Sequence, residues 1–382
     1  MVKSSRARVI AFYLPQYHPT PENDYFWGKG FTEWTNVAKA KPLFRGHMQP
    51  RVPADLGFYD LRLPVVAEQQ AELAKQAGIE GFCYWHYWFG DGKETLQMPL
   101  DRMVASGKPD FPFCVGWANH DWTTKTWTKG KTQNTRSMIF EQKYLGEEDY
   151  VSHFYRLINA FKDKRYITVD GKLLFLIFDV EAFEDFKRFK DIWNRLAKEN
   201  GLLGFHFVGL AHSVDPKTVR DMENYASQKF TSYLNRGYDG LYSINQKYAE
   251  MKAGGVLHKA LHSVARRLIP SGMVEKYQYE KVMKHYYTKL DRMENIYPQL
   301  LAGWDRSPRS GRNAIIYYED TPDKFKAIAE RVVRLVEHKQ PEHRLIFLNS
   351  WNEWGEGAYM EPDLRYGDAK LKALKEVLLP SK

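Results

Sequence analysis

The chain has 382 residues, 43% hydrophobic and 15% aromatic, which is enough apolar surface to bury a sizeable core and excludes a disordered polymer. Its 56 Lys and Arg against 47 Asp and Glu give a net charge of +9, compatible with acidic glycans, nucleic acid or anionic lipid but selecting none of them. No DNA- or RNA-binding motif is present, so no nucleic-acid partner is expected, and no run approaches the ~20 apolar residues of a membrane-spanning helix.

The basic start, Met1 to Phe12, carries an apolar stretch too short for a signal peptide, and the expected location is the cytoplasm. Cys83 and Cys114 have no CxxC partner or ligand cluster around them. They read as free, buried thiols, and neither a metal nor another cofactor is expected.

Residues 8–14 read as a first strand, stopped by Pro15. The stretch to Asn36 is a long loop with three prolines and two glycines, and loops of that length inside a compact domain are usually functional. It offers Gln16, His18, Asn23, Trp27, Glu33 and Trp34 as ligand contacts, each weighed against simple packing of the loop on its neighbours.

An amphipathic helix over 61–77 ends at Gly78. A second strand over 81–89 presents Tyr84, His86, Tyr87 and Trp88 at its tip, although a histidine there is as easily a satisfied core residue. A third, over 111–117, ends at Trp117 and passes into Ala118-Asn119-His120-Asp121-Trp122. The basic, Thr-rich run 125–137 reads as a solvated excursion.

Helical stripes over 150–161 and 183–196 bracket a fourth strand, 173–178, which meets Asp179 at its end. A fifth strand covers 205–210, and the sixth is either 227–230 or 240–244. From 246 to 298 the alternation fails, and a helix rich in Lys, Arg and His over 257–269 marks an insertion. Covering the barrel is one role for it, and peripheral contact with an anionic membrane face is the other. A seventh strand over 299–304 ends in Asp305-Arg306, and helices over 325–336 and 371–378 flank the last strand.

That last strand, Leu345-Ile-Phe-Leu348, runs into Asn349-Ser-Trp-Asn-Glu-Trp-Gly-Glu-Gly-Ala-Tyr359. Strands alternating with helices about eight times fit a single (β/α)₈ barrel with long βα loops, whose active sites lie past the carboxyl ends of the strands. A doubly wound sheet is the other α/β architecture, but no Gly-rich phosphate loop follows the first strand. Glu353 and Glu356 sit at that edge among Trp351, Trp354 and Tyr359. Two carboxylates flanked by rings suit acid/base work on a sugar, one giving a proton and the other taking one or attacking.

Four segments also carry a resemblance: Ala11-Phe-Tyr13-Leu-Pro-Gln16-Tyr-His18, Asn23 to Val37, Gly81 to Trp88, and Asn349 to Gly357 including Asn352. Together they are similar to the WbsX-type family, associated with bacterial lipopolysaccharide and O-antigen gene clusters, which in turn resembles glycoside hydrolase family 99. That resemblance implies a metal-independent, retaining endo-α-1,2-mannosidase-like barrel acting on an oligosaccharide or polysaccharide. It implies that Glu353 takes the proton of the sugar 2-hydroxyl, which closes to a 1,2-anhydro sugar, and that Glu356 protonates the leaving oxygen and then activates water. The Pro-Gln-Tyr-His segment and the Trp-rich loop depart from the mannosidases. Glycosyl transfer in polysaccharide assembly and a non-catalytic glycan-binding barrel are therefore the alternatives to hydrolysis.

Overall fold

The computed structural model describes residues 5–123, 138–213, 221–268 and 274–379. Eight parallel strands are present: β1 (Arg8–Tyr13), β2 (Gly81–Trp88), β3 (Phe113–Trp117), β4 (Lys172–Ile177), β5 (Phe205–His212), β6 (Gly240–Ile244), β7 (Ile296–Leu300) and β8 (Leu345–Leu348). Each pairs with the next in sequence, and β8 pairs with β1 with Arg8 opposite Leu345, so the sheet closes into a (β/α)₈ barrel without edges.

Nearly every strand residue is buried, because a parallel strand in a barrel faces side chains on one surface and helices on the other. The interior is solid. Phe12 of β1 stacks on Trp85 of β2 (centroids 4.6 Å, 3°) and reaches across to Tyr242 of β6 at 5.3 Å, and Phe347 of β8 completes the layer. Cys83 and Cys114 lie opposite each other on β2 and β3 as free, buried thiols.

The outer layer contains α1 (Pro64–Gln76), α2 (Met98–Ser106), α3 (Glu147–Phe161), α4 (Phe186–Glu199), α5 (Met222–Asn235), α6 (Gln246–Leu268), α7 (Pro322–Val336) and α8 (Ala369–Leu378). The reason α4 forms where it does is its spacing. Phe186, Phe189, Ile192, Trp193 and Leu196 recur at three- and four-residue intervals and are all buried, each such side chain stabilising by about 1.5–3 kcal/mol. In α7, Phe325, Ala329, Val332, Val333 and Val336 do the same.

Four local readings are corrected. The segment 227–230 lies inside α5, capped by the Asp221 side chain accepting the Asn224 N–H at 3.2 Å, so the sixth strand is Gly240–Ile244. The seventh strand is Ile296–Leu300, three residues earlier than the expected 299–304, and it contains Pro298. Trp304, expected as the last residue of that strand, and Asp305, expected just past it, instead join a separate sheet with Ile315–Tyr318 and Glu275–Gln278. The loop after β1 holds two short helices, Pro21–Trp27 and Trp34–Lys39.

The basic run 125–137 lies outside the described residues. Helix α6 is broken at Gly255, whose φ of 74° is not helical; Tyr248, Ala249, Glu250 and His262 are buried, whereas Leu261, Val264 and Leu268 are more than half exposed. Among the described residues no helix is long and apolar enough to cross a membrane.

Candidate active site

The loop after β8 is built by backbone and amide bonds that leave it no freedom to drift. The Trp351 N–H donates to Phe12 O at 2.7 Å. The Asn352 side chain accepts the Leu14 N–H at 2.8 Å and donates to Leu14 O at 3.0 Å, so the chain is pinned to the exit of β1. Asn352–Glu353 then pairs antiparallel with Ala358–Tyr359, and the three residues Trp354–Glu356 turn between them in a 3₁₀ helix. The turn closes at Gly357, whose φ of 62° is left-handed and whose added Cβ would stand 2.7 Å from Asp305 Cβ.

This turn brings Glu353 and Glu356 onto one guanidinium. Arg309 reaches Glu353 Oε1 through Nη2 at 2.5 Å and Glu356 Oε1 through Nη1 at 2.8 Å. Its Nε donates to Glu33 Oε1 at 2.9 Å, and Nη2 also meets Glu33. Arg306 adds a contact from Nε to Glu356 Oε1 at 3.1 Å, its guanidinium 6.0 Å from the Trp304 ring. The acid side chains keep 14% and 17% exposure, Arg309 10% and Arg306 36%, so the cluster reaches solvent at the carboxyl end of the barrel.

Burial pushes Glu353 up to about 8, opposed by Arg309 and reinforced by the charges of Glu356 and Glu33. Burial also acts on Glu356, but Arg306 and Arg309 together hold it below the usual carboxylate range. Glu33, wholly buried, is raised by desolvation despite Arg309. The two directions run opposite to the roles the family resemblance implies: both arginines contact Glu356, whereas Arg309 alone contacts Glu353. Two interacting carboxyls titrate as a pair, so these opposed directions belong to the pair.

The aromatic walls expected around the acids are scaffold. Trp34, Trp351, Asn352, Trp354 and Tyr359 are all buried. Trp354 stacks on Tyr359 (3.7 Å, 12°) and donates its indole N–H to Glu361 Oε2 at 2.6 Å. Trp34 donates to Tyr59 O at 2.7 Å and packs on Tyr17 and Trp354, and Trp351 packs on Phe82. The Tyr359 hydroxyl donates to Asp363 at 2.6 Å. These side chains shape the acid loop from beneath and present no face to a ligand.

The remaining candidates divide sharply. Glu33 is in the cluster, and Tyr87, buried, lies within electrostatic reach of Glu353, which helps raise its hydroxyl pKa after burial itself. Trp27 is half-buried against Phe31 and Trp122. Asp179 is half-buried and spends its carboxylate on the Glu181 and Ala182 N–H groups.

Tyr13 donates to Gln70 at 2.7 Å and packs on Tyr84, both buried. Gln16 is bonded to Asn23 at 3.4 Å, and His18 is buried, its pKa lowered by desolvation. His86 shares a 3.0 Å ring-nitrogen contact with His153 and is lowered by burial to about 3, so it is neutral. Trp88 stacks on His153, and Trp117 donates to Trp88 O at 2.8 Å. Asn119 clamps Asp179 through both its backbone groups. Asp305 is buried between His47 (2.8 Å) and Gln49 (2.7 Å). None of these nine is brought into the acid cluster, and all nine are buried.

Arg306, Arg309 and Glu361 were not legible as site residues. Arg309 stands 44 positions before Glu353 on the short helix Ser307–Ser310, and the only sequence signal was its place just past a strand exit. Among the described residues no group of three His, Cys, Asp or Glu side chains is arranged to hold a metal. A cavity of about 420 Å³ lined by Leu100, Val104, Arg156 and Asp163 lies between α2 and α3 and includes no member of the cluster.

Comparison with known proteins adds family and fold. The family model described as Glycosyltransferase WbsX matches residues 9–374. Two proteins of Xanthomonas campestris pv. campestris, from strains B100 and ATCC 33913 and each described as uncharacterized protein WxcX, are 32% identical over 380 residues, 97% of this chain and 50% of theirs. The chain therefore spans about half the length of the curated relatives it matches. Among solved structures, a glycoside hydrolase-like protein superposes with TM-score 0.59 at 15% identity, covering all of this chain and 96% of its own. The GH99 endo-alpha-mannosidase of Bacteroides thetaiotaomicron, in complex with bis-tris-propane, gives TM-score 0.51 at 15% identity over 98% and 96%. At that identity the likeness is one of fold.

Proposed function

The chain belongs to the WbsX glycosyltransferase family, and from that premise we propose that it is a carbohydrate-active enzyme in which Glu353 and Glu356 cleave or transfer α-linked, mannose-type glycosyl units of a bacterial surface polysaccharide. The observation that carries the reading is the pair itself. Two carboxylates on one guanidinium at the barrel's strand ends, one pushed up and one held down, together provide an acid and a base at neutral pH.

In the 1,2-anhydro route the ionised member removes the 2-hydroxyl proton while that oxygen closes on the anomeric carbon. The protonated member gives its proton to the departing oxygen, and the carbon–oxygen bond breaks. Water, or a sugar hydroxyl, then opens the three-membered ring, losing its proton to the carboxylate that served as acid, while the other carboxyl returns its proton to the sugar 2-oxygen. We assign Glu353 to the 2-hydroxyl and Glu356 to the leaving oxygen. Arg306 touches Glu356 through Nε alone and is the most exposed member of the cluster, so an entering sugar displaces it first, and the pair's proton then passes to Glu356.

Replacing either Glu353 or Glu356 by Gln lowers turnover of α-mannosyl oligosaccharides by roughly 10²–10⁴-fold. Oligosaccharide binding stays measurable by calorimetry. Full activity in either variant overturns the assignment, and binding without any product from the wild type means a glycan-binding barrel. Chromatography of products with and without an acceptor sugar separates transfer, the activity in the family's name, from hydrolysis.

A further inference from the structure

Three carboxylates from two distant stretches of chain share the Arg309 guanidinium, and only two of them belong to the acid pair. The third, Glu33, is fully buried on the first βα loop and takes the Nε edge. The contact is tight enough to restrict the turn between the acids. A Cβ on Gly355 would lie 2.6 Å from Glu33 Oε2 and 2.8 Å from Arg309 Nε, so the glutamate–arginine pair is pressed against the backbone that carries Glu353 and Glu356.

We propose that Arg309 is the positioning residue of this site: anchored by Glu33, it spans Glu353 and Glu356 with its remaining N–H groups and determines how the two divide one proton. The inference rests on the acid/base reading above for its chemical purpose but not for its test. A planar guanidinium presents five N–H donors in a fixed fork and cannot lose its charge, which a single cation needs if it is to bridge three oxygens. Lysine offers a point charge and would have to choose. Glu33 keeps the fork from turning wholly onto the pair. The other groups facing the acids are Arg306 on Glu356, and the hydroxyls of Tyr17 from the first loop and Tyr87 from β2 near Glu353. Tyr17 is already engaged, donating to Asn352 O at 2.7 Å.

The test is a pH titration of the whole chain, carrying ¹³C-labelled glutamate, by infrared difference spectroscopy, with E353Q as the control that assigns the Glu353 signal. In the wild type that carboxylic acid signal is lost through about pH 8. In R309K it persists to a pH higher by about one unit, a tenfold change in proton affinity, and in E33Q it is lost about one unit lower, because the Glu33 charge that helps raise Glu353 is gone and the released guanidinium falls wholly on the pair. Wild-type titration in both variants overturns the proposal. Should R309K fail to fold, E33Q, a neutral isostere, decides alone by the same criterion. In glycan turnover, R309K lowers kcat more than it changes KM and displaces the pH profile in the same direction. Lack of any turnover by the wild type counts against the acid/base reading and leaves the infrared result to decide the role of Arg309.

Discussion

Asn352 holds Leu14 by both faces of its backbone, accepting the N–H at 2.8 Å and donating to the carbonyl at 3.0 Å in a fully buried setting. The amide thereby acts as an extra rung between the last strand's exit and the first, and it sets the height at which Glu353 leaves the barrel.

Replacing Asn352 by Ala leaves two buried backbone groups without partners, at about 1–3 kcal/mol each. The expected result is a destabilisation of about 3 kcal/mol in urea unfolding and a loss of turnover larger than the loss of binding, since the acid loop is no longer fixed. Asp at the same place keeps the acceptor but sets a carboxylate against the Leu14 carbonyl, and is expected to be no better. Unchanged unfolding for both variants would show that the rung carries no load.

Glu361 sits beneath the acid loop and accepts from the Trp354 indole (2.6 Å), Gln70 (2.7 Å) and Tyr59 (3.0 Å). Burial pushes it up to about 7, with these donors pulling it back. Glu361→Leu is close in size yet orphans all three donors, so it is expected to destabilise by about 3 kcal/mol or more and to broaden tryptophan fluorescence. Thermal unfolding checks it, and a stable Leu variant would mean that the three donors find other acceptors.

Much of the barrel could be read from the chain because strand exits announce themselves chemically: Leu345–Leu348 is apolar to its end, and Asn349 follows at once. The seventh strand was less legible: Pro298 lies within β7, where a proline cannot donate to the ladder, and Trp304, expected at the strand's end, belongs to a separate sheet. Arg309 was invisible for a different reason. Its partners lie at 33, 353 and 356, and no local pattern encodes a contact across such separations. Exposure was the third gap. Trp351 and Trp354 look like sugar platforms in a Trp-Asn-Glu-Trp run, but strand pairing turns both under the loop.

Gly355 tests how closely the cluster is built. Its Cβ would strike side-chain atoms, Glu33 Oε2 and Arg309 Nε, and not backbone, so the protein can yield by parting that pair. Gly355→Ala is therefore expected to fold, at a cost of about 1–3 kcal/mol, while kcat drops at least as far as in R309K. Comparison of kcat with urea midpoints for the two variants checks this. An alanine variant as active as the wild type would show that the pair gives way without disturbing Glu353 or Glu356.

Stability should also carry the signature of Glu353. Its folded-state value, raised from 4.5 to about 8, means that the native protein holds a proton that the unfolded chain has released above pH 4.5. By linkage, the slope of unfolding free energy with pH from this group is negative across that window: its contribution is whole below the unfolded value and is lost as pH rises through about 8. Glu361, raised to about 7, adds a slope of the same sign that ends about a unit earlier. Urea midpoints measured from pH 5 to pH 9 should therefore fall with rising pH, and Glu353→Gln should flatten the part of that fall above pH 7, where Glu361 no longer contributes. A Gln variant whose midpoints track the wild type throughout would mean that Glu353 is ionised in the resting protein, and that the acid of the pair is Glu356 before any sugar arrives.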